Sequence, residues 1–247
     1  MTQPPPPDTL TLATWNVEWA TPRKHAPITE RIAAMNADIL VVTEGDAGVL
    51  PAGGTHLDGG TDWGYRNTKP DWRKVILWSR YPMRSIDGQA PPGVPGRFTM
   101  AQVQTPVGDV TVIGVCIPWR DAHVRTGRRD ALPWGEHMAY LKHLAEVVRR
   151  YRDQPLLVMG DFNQRFPRTR APQEVFDAIN DALEGLTVVT AGQLPGLTRQ
   201  DVDHIAVSAH FEALRAWGID RHHQPSVALS DHDATLAAVR IGDQSII

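Results

Sequence analysis

The chain has 247 residues, with 25 Lys plus Arg against 28 Asp plus Glu, a formal net charge of −3, and 42% apolar residues that include eight Trp. This composition excludes a wholly disordered chain, and the lone cysteine, Cys116, excludes an internal disulfide and a multi-cysteine zinc site. A near-neutral total neither requires nor forbids a polyanionic partner, because a basic face can sit on an acidic body.

The opening MTQPPPPDT has neither a basic start nor an apolar core, so it does not read as a secretory signal, and Pro4 to Pro7 predict a short extended arm over 1–8. No stretch approaches the roughly 18–20 apolar residues of a membrane span. The expectation is a soluble, cytoplasmic, monomeric protein. Residues 9–19 alternate β-formers and predict a strand ending near Asn16. Ile28, Ile32 and Met35 have helical spacing over 29–35, and 39–42 predict a buried strand that ends at Glu44. The Gly-rich stretch that follows holds Trp63, Tyr65 and Trp72; a loop this long is functional or hides a short edge strand.

Further strands are expected over 74–79, 98–104 and 110–117, then a helix over 135–150 with Met138, Leu141, Leu144 and Val148 on one face. Arg149 and Arg150 suit its C-terminal end electrostatically. A strand over 156–159, a helix over 172–183 and strands over 186–190, 203–208, 211–218 and 234–241 complete the chain. Most connections between strands are too short for crossover helices, so much of the sheet is antiparallel. These features predict one α/β (α+β) domain over 9–247, a four-layer sandwich of two packed, largely antiparallel sheets flanked by helices.

Polar residues recur where the apolar runs stop: Asn16 with Glu18, Glu44, Asp161 with Asn163, Asp203 with His204, and Asp231 with His232. Asp161 and Asn163 alone, in GDFN, are ordinary turn residues. Four further clusters at strand ends change that reading, because strands lying side by side would bring their ends, and all five clusters, to one rim. Carboxylates, an amide and an imidazole gathered there suit a hard, oxygen-seeking cation such as Mg²⁺ or Mn²⁺. His204 is left out of the set, since inside a strand it points away from Asp203. Two loops, 118–134 and 164–170, carry Trp119, Arg120, His123, Arg125, Arg128 and Arg129, then Arg165, Phe166, Arg168 and Arg170. They read as a surface that tracks phosphates, with Trp119 or Phe166 for stacking; the other reading is a solvated loop whose charges pair with Asp121 and Asp130.

The motifs TWNVEW (14–19), TEGD (43–46), WSRYP (78–82), GDFN (160–163), DVDHIAVS (201–208) and SDHDA (230–234) resemble, in order, those of the endonuclease/exonuclease/phosphatase superfamily. The resemblance implies a divalent-metal-dependent phosphoesterase, with Glu44 as principal metal ligand, Asn16 and Asp231 lining the metal site and Glu18 beside it. Asp161 would activate the attacking water, Asn163 would hold the phosphate and orient Asp161, and His232 would bind a phosphoryl oxygen with Asp203 behind it. Family members usually carry His or Tyr where this chain has Cys116, a small buried residue in its own right, so Trp119, Arg120 or His123 would make that contact. The arginine loops favour nucleic acid as substrate. A phosphatase or phosphodiesterase for a small or lipid-linked phosphate is the alternative, and a catalytically silent nucleic-acid- or protein-binding module the third reading.

Overall fold

The computed structural model describes residues 8–66 and 69–242; the proline-rich arm, apart from Asp8, lies outside the described residues. Strand β1 (Thr9–Asn16) places Leu10 and Leu12 on one face and Ala13 and Trp15 on the other. Strand β2 (Ile39–Gly45) does the same with Ile39 and Val41 against Leu40 and Val42. Both strands are apolar on both sides because both sides are covered, one by a second sheet and one by a helix.

The remaining strands are β3 (Thr55–Asp58), β4 (Arg73–Ser79), β5 (Met83–Ser85), β6 (Phe98–Thr105), β7 (Gly108–Cys116), β8 (Leu156–Asp161), β9 (Leu186–Val188), β10 (Asp203–Ser208), β11 (Phe211–Ile219), a small hairpin of β12 (His222–Gln224) and β13 (Val227–Ala228), and β14 (Ala234–Ile241). They form two six-stranded sheets, ordered β11-β14-β1-β2-β4-β3 and β5-β6-β7-β8-β10-β9. Among the described residues, only β1/β2 and β7/β8 pair in parallel. In each of these pairs the connection contains a helix, α1 (Pro22–Met35) or α2 (Gly135–Tyr151), as a parallel crossover requires. The C-terminal ends of β1, β2, β7 and β8 therefore share one rim with the starts of the antiparallel strands β10 and β14.

Three apolar layers hold the sandwich. Leu12, Val41, Leu77, Val112, Met159 and Val207 meet between the sheets. Ile28, Ile32 and Met35 of α1 cover Ala13, Trp15 and Leu40 on the outside of the first sheet. α2 and α3 (Gln173–Ala182) cover Ile113, Val115, Val158 and Ala206 on the outside of the second. Each fully buried Leu or Ile contributes roughly 1.5–3 kcal/mol. The four-layer, largely antiparallel arrangement expected from the sequence is the one observed.

The differences have local causes. α1 begins seven residues before 29, because its first two turns carry no buried side chain until Ile28 and so show no apolar period. On α2 the buried stripe is His137, Tyr140, Leu141, Leu144, Val147 and Val148, and Met138 is only half-buried. The Gly-rich loop hides the edge strand β3, one of its two expected readings. β5, β12 and β13 are two or three residues each, too short to display alternation. Phe166, offered as a stacking surface, is instead buried among Phe162, Phe176 and His204 beneath α3.

Candidate active site

A cavity of about 400 Å³ opens at the shared rim, lined by Asn16, Glu18, Glu44, Asp161, Asn163, Asp231, His232 and Trp119. Asn16 closes β1, Glu44 falls near the end of β2, and Asp161 closes β8 opposite the first residue of β10, Asp203. β8 can end there because Gly160 lies against β7: a Cβ at its φ of +139° would sit 1.9 Å from the Val115 carbonyl oxygen.

Asp161 is 2% exposed, yet its carboxylate is well supplied with donors. Asn16 Nδ2 and Asn163 Nδ2 donate to Oδ2 at 3.1 and 3.0 Å, and the Asn163 amide donates to Oδ1 at 2.9 Å. The last contact is an Asx turn, so GDFN is a tight turn and also a cradle for the carboxylate. Asn163 takes the left-handed φ of 53° that Asn tolerates and anchors its Nδ2 on the Ile117 carbonyl at 2.9 Å. Burial raises the Asp161 pKa, and the Glu44 charge adds to this, against the lowering effect of His232 and the two asparagines.

His232 faces this carboxylate. Asp203, fully buried, accepts from its Nδ1 at 2.5 Å, which leaves Nε2 directed toward the cleft side, where Asp231 Oδ1 lies at 3.8 Å. Burial disfavours the imidazolium, but the charges of Asp203, Asp161 and Asp231 and the Asp203 hydrogen bond outweigh it and hold the pKa well above the usual range. Ser230 explains the SDH sequence: its hydroxyl donates to the Asn16 carbonyl at 2.6 Å and accepts from the His232 amide at 3.1 Å. Trp15 Nε1 also donates to the His232 carbonyl at 3.0 Å, tying this loop to β1.

Glu44 takes a left-handed φ of 53°, and its Oε1 accepts from Lys74 Nζ at 2.5 Å. Lys74 and Arg97 also line the cleft, and neither was among the residues read from the sequence. Both stand at the start of antiparallel strands, β4 and β6, that run away from the rim. A buried Lys in the apolar run KVILW was the one signal available for Lys74, since Lys is almost never buried without a partner. Arg97 had no comparable signal in PGRF. Its Nη1 donates to the Cys116 carbonyl at 3.2 Å and lies 3.7 Å from Sγ. Burial pushes the Cys116 thiol up to about 12, so it stays a neutral core group, and the cations near this corner are Lys74 and Arg97.

Apart from Trp119, the candidates on the two arginine-rich loops lie away from the cleft wall. His123 is buried, with its ring stacked on Tyr65 at 4.1 Å. Arg120 pairs with Asp121, Arg128 pairs with Asp130 and Glu136, and Arg165 Nε donates to the Gln200 carbonyl at 3.2 Å. Arg129 points to solvent. The paired-charge reading of the 118–134 loop thus describes Arg120 and Arg128. Glu18 lines the cleft but is bound by Lys24 at 3.0 Å, and His204 points to the opposite face, bonded to Thr190 and Gln164.

One buried group is a liability. Asp201 sits behind the site with Oδ2 unpartnered, and burial, then the Asp203 charge, raise its pKa to about 7. The folded state therefore holds this proton above the unfolded value of 3.8, so its contribution to stability falls as pH rises from about 4 to 7. Asp201→Asn is expected to raise Tm by roughly 2–8 °C at pH 8 and by less at pH 5. Paired melting curves at the two pH values check this.

A four-layer α/β sandwich with its polar residues gathered at one strand-end rim is the class that this fold defines. A family model described as Endonuclease/Exonuclease/phosphatase family matches residues 13–232, and the chain belongs to that family. No curated protein matches it at a significant level. Among solved structures, it is similar to an AP endonuclease from Archaeoglobus fulgidus (TM-score 0.68, 16% identity, 92% of this chain and 98% of that one). The human Nocturnin catalytic domain with bound sulfate anion matches at a TM-score of 0.66 and 16% identity, over 95% and 94% of the two chains. An endonuclease/exonuclease/phosphatase family protein from Bacteroides thetaiotaomicron matches at 0.65 and 16%, over 95% and 98%. At these identities the likeness establishes the fold. Among the described residues, no helix is long and apolar enough to cross a membrane.

Proposed function

We propose that this protein is a divalent-metal-dependent phosphoesterase that cleaves phosphodiester bonds in nucleic acid. The observation that carries the reading is the pairing across one cleft of a buried Asp161, held by three donors, with an Asp203-bound His232. One group accepts a proton and the other donates, and both are held in place by neighbours rather than by solvent. Two asparagines fix the Asp161 carboxylate for a water in line with the phosphorus, and Asp161 takes that water's proton. The His232 imidazolium donates to a phosphoryl oxygen as negative charge builds there, and Asp203 keeps its ring oriented. Lys74 and Arg97 add positive charge on the side that Cys116 cannot serve.

Glu44, Asn16 and Asp231 are the cation ligands in this reading. Their donors are all oxygen, the chemistry that Mg²⁺ or Mn²⁺ prefers, whereas His232 Nδ1 is already taken by Asp203. A bound divalent ion supplies Lewis-acid neutralisation of the phosphate's charge. Similarity to an AP endonuclease supports nucleic acid as substrate. One observation favours the second reading, a small phosphate ester: Arg120 and Arg128 already have acidic partners and do not form a bare phosphate track.

The test is a panel of abasic duplex, plain duplex, single strands, RNA and small phosphate esters, run with Mg²⁺, with Mn²⁺ and with EDTA. Hydrolysis of at least one nucleic acid that EDTA abolishes and Mg²⁺ restores is expected. Cleavage confined to small esters moves the protein to the second reading. No chelator-sensitive hydrolysis at all leaves only a binding module.

A further inference from the structure

A second cavity, of about 300 Å³, adjoins the catalytic cleft and shares Trp19, Lys74, Arg97 and Trp119 with it. Its other walls include Trp63 and Trp72, so half of the chain's eight Trp face one hollow. Three of these indoles differ from a core residue such as Trp15, which is fully buried: Trp119 is 47% exposed and Trp19 and Trp72 are half-buried, while Trp63 is buried behind them. Apolar rings left partly open beside a polar cleft mark a surface that awaits contact.

The rear wall is already assembled. The Trp19 ring stacks on Trp72 with centroids 4.7 Å apart and 24° between planes, and leans on Trp63 at 5.7 Å and 35°. Trp19 reaches this position through three successive left-handed residues, Glu18, Trp19 and Ala20, with φ of 46°, 65° and 35°. Such a backbone is costly for residues with side chains and persists only where its surroundings enforce it. Here the Trp19 amide is tied to the Glu44 carbonyl at 2.5 Å, so the metal-ligand candidate and the indole share one rigid turn.

The charges select among flat or aromatic-seeking ligands. Lys74 Nζ lies 4.7 Å from the Trp19 centroid, and Arg66 and Arg97 also line the cavity, so a quaternary ammonium or other cation is disfavoured. A neutral heteroaromatic ring joined to a phosphate meets both halves of the lining. The volume takes one such ring with its sugar and excludes a stacked base pair. A base in duplex would have to leave the stack to enter.

We propose that the cavity of Trp19, Trp63, Trp72 and Trp119 is a subsite for one unpaired nucleobase, on the nucleotide whose phosphate occupies the catalytic cleft. This inference rests on the phosphoesterase reading and narrows its substrates to single strands, frayed or terminal nucleotides, or nucleotide esters. The pairing of Arg120 and Arg128 with acidic side chains agrees with a short grip rather than a long backbone track.

The experiment compares kcat/KM of the full chain, with Mg²⁺, on the p-nitrophenyl ester of thymidine 5′-phosphate and on methyl p-nitrophenyl phosphate, which lacks a base. In each, water forms the new P–O bond, the proton passes to Asp161 and p-nitrophenolate leaves. A preference of about tenfold or more for the thymidine ester, expressed in KM, is expected from base stacking. Trp119→Ala and Trp72→Ala should each reduce that preference to within about threefold, and Trp119→Phe should retain most of it because a π face remains. Trp119 is exposed enough that its variants test the subsite even if Trp72→Ala melts early. Equal kcat/KM on the two esters with EDTA-sensitive turnover, or an unaltered preference in Trp119→Ala, overturns the subsite and leaves the phosphoesterase. Absence of hydrolysis on both esters, together with a blank nucleic-acid panel, overturns both.

Discussion

Asp161→Asn is expected to lower kcat by roughly 10²–10⁴-fold on whichever phosphate ester the protein hydrolyses, the usual worth of a positioned general base. KM should change far less, because the substituted amide is nearly isosteric and the cation ligands proposed here, Glu44, Asn16 and Asp231, are untouched. The structural cost is local. Asp161 accepts from Asn16 Nδ2, Asn163 Nδ2 and the Asn163 amide, so the new NH₂ faces at least one donor and one hydrogen bond is lost. Against that, a buried charge whose pKa is already raised by burial is removed. The two effects oppose each other, so Tm should move by only a few degrees (about 1 kcal/mol). Steady-state kinetics and a melting curve on the same preparation check this. Turnover within threefold of the parent chain would remove Asp161 from the proton-accepting role.

His232→Ala has the second large effect and a different signature. Loss of the donor should cost roughly 10²–10³-fold in kcat. It also strands Asp203, which is fully buried and bonded to His232 at 2.5 Å, and breaking a buried pair from one side destabilises by roughly 3–5 kcal/mol. The double variant Asp203→Asn/His232→Ala should therefore melt higher than His232→Ala alone while remaining inactive. The sign of the pH dependence follows from the pKa directions. In the parent chain the His232 pKa is raised, so its contribution to stability is complete below the unfolded value near 6.5 and is lost as pH rises through the folded value. The alkaline limb of the rate profile should accordingly lie above the usual histidine range. In His232→Ala, Asp203 keeps a raised pKa without a counter-charge, so that variant should lose stability as pH climbs above about 4 and should be most nearly normal in mild acid. A rate limb at or below the ordinary histidine pKa would contradict the charged-donor assignment.

The local part of the site was legible because each group follows a recognisable apolar run. Asn16, Glu44 and Asp161 each stop a strand whose two-residue period or unbroken apolar run is evident in the chain, and Asp203 starts one. Their convergence could be inferred once the strands were taken to lie side by side, and the structure adds that the helices following β1 and β7 make β1/β2 and β7/β8 parallel pairs. The rim's cations were not legible in the same way. Lys74 reaches Glu44 only through the antiparallel pairing of β2 with β4, and Arg97 reaches the Cys116 corner only through that of β6 with β7. The arginine-rich loop shows the converse. Seven arginines near the rim suggested a phosphate track, but Arg128 folds back onto Asp130 and onto Glu136 of α2, contacts set by how the loop packs.

From its residues alone, this chain declared a two-sheet sandwich with helices outside and a set of strand-end carboxylates, amides and one imidazole suited to phosphate chemistry. Apolar periodicity and turn residues act over a few positions, so they report which faces are covered and where strands stop. The tertiary structure alone decided which cations stand opposite Glu44 and Cys116, which arginines are already paired, and that Trp19, Trp63, Trp72 and Trp119 surround one hollow beside the cleft. Those outcomes depend on strand register and loop packing between residues tens of positions apart, and no local pattern carries that information.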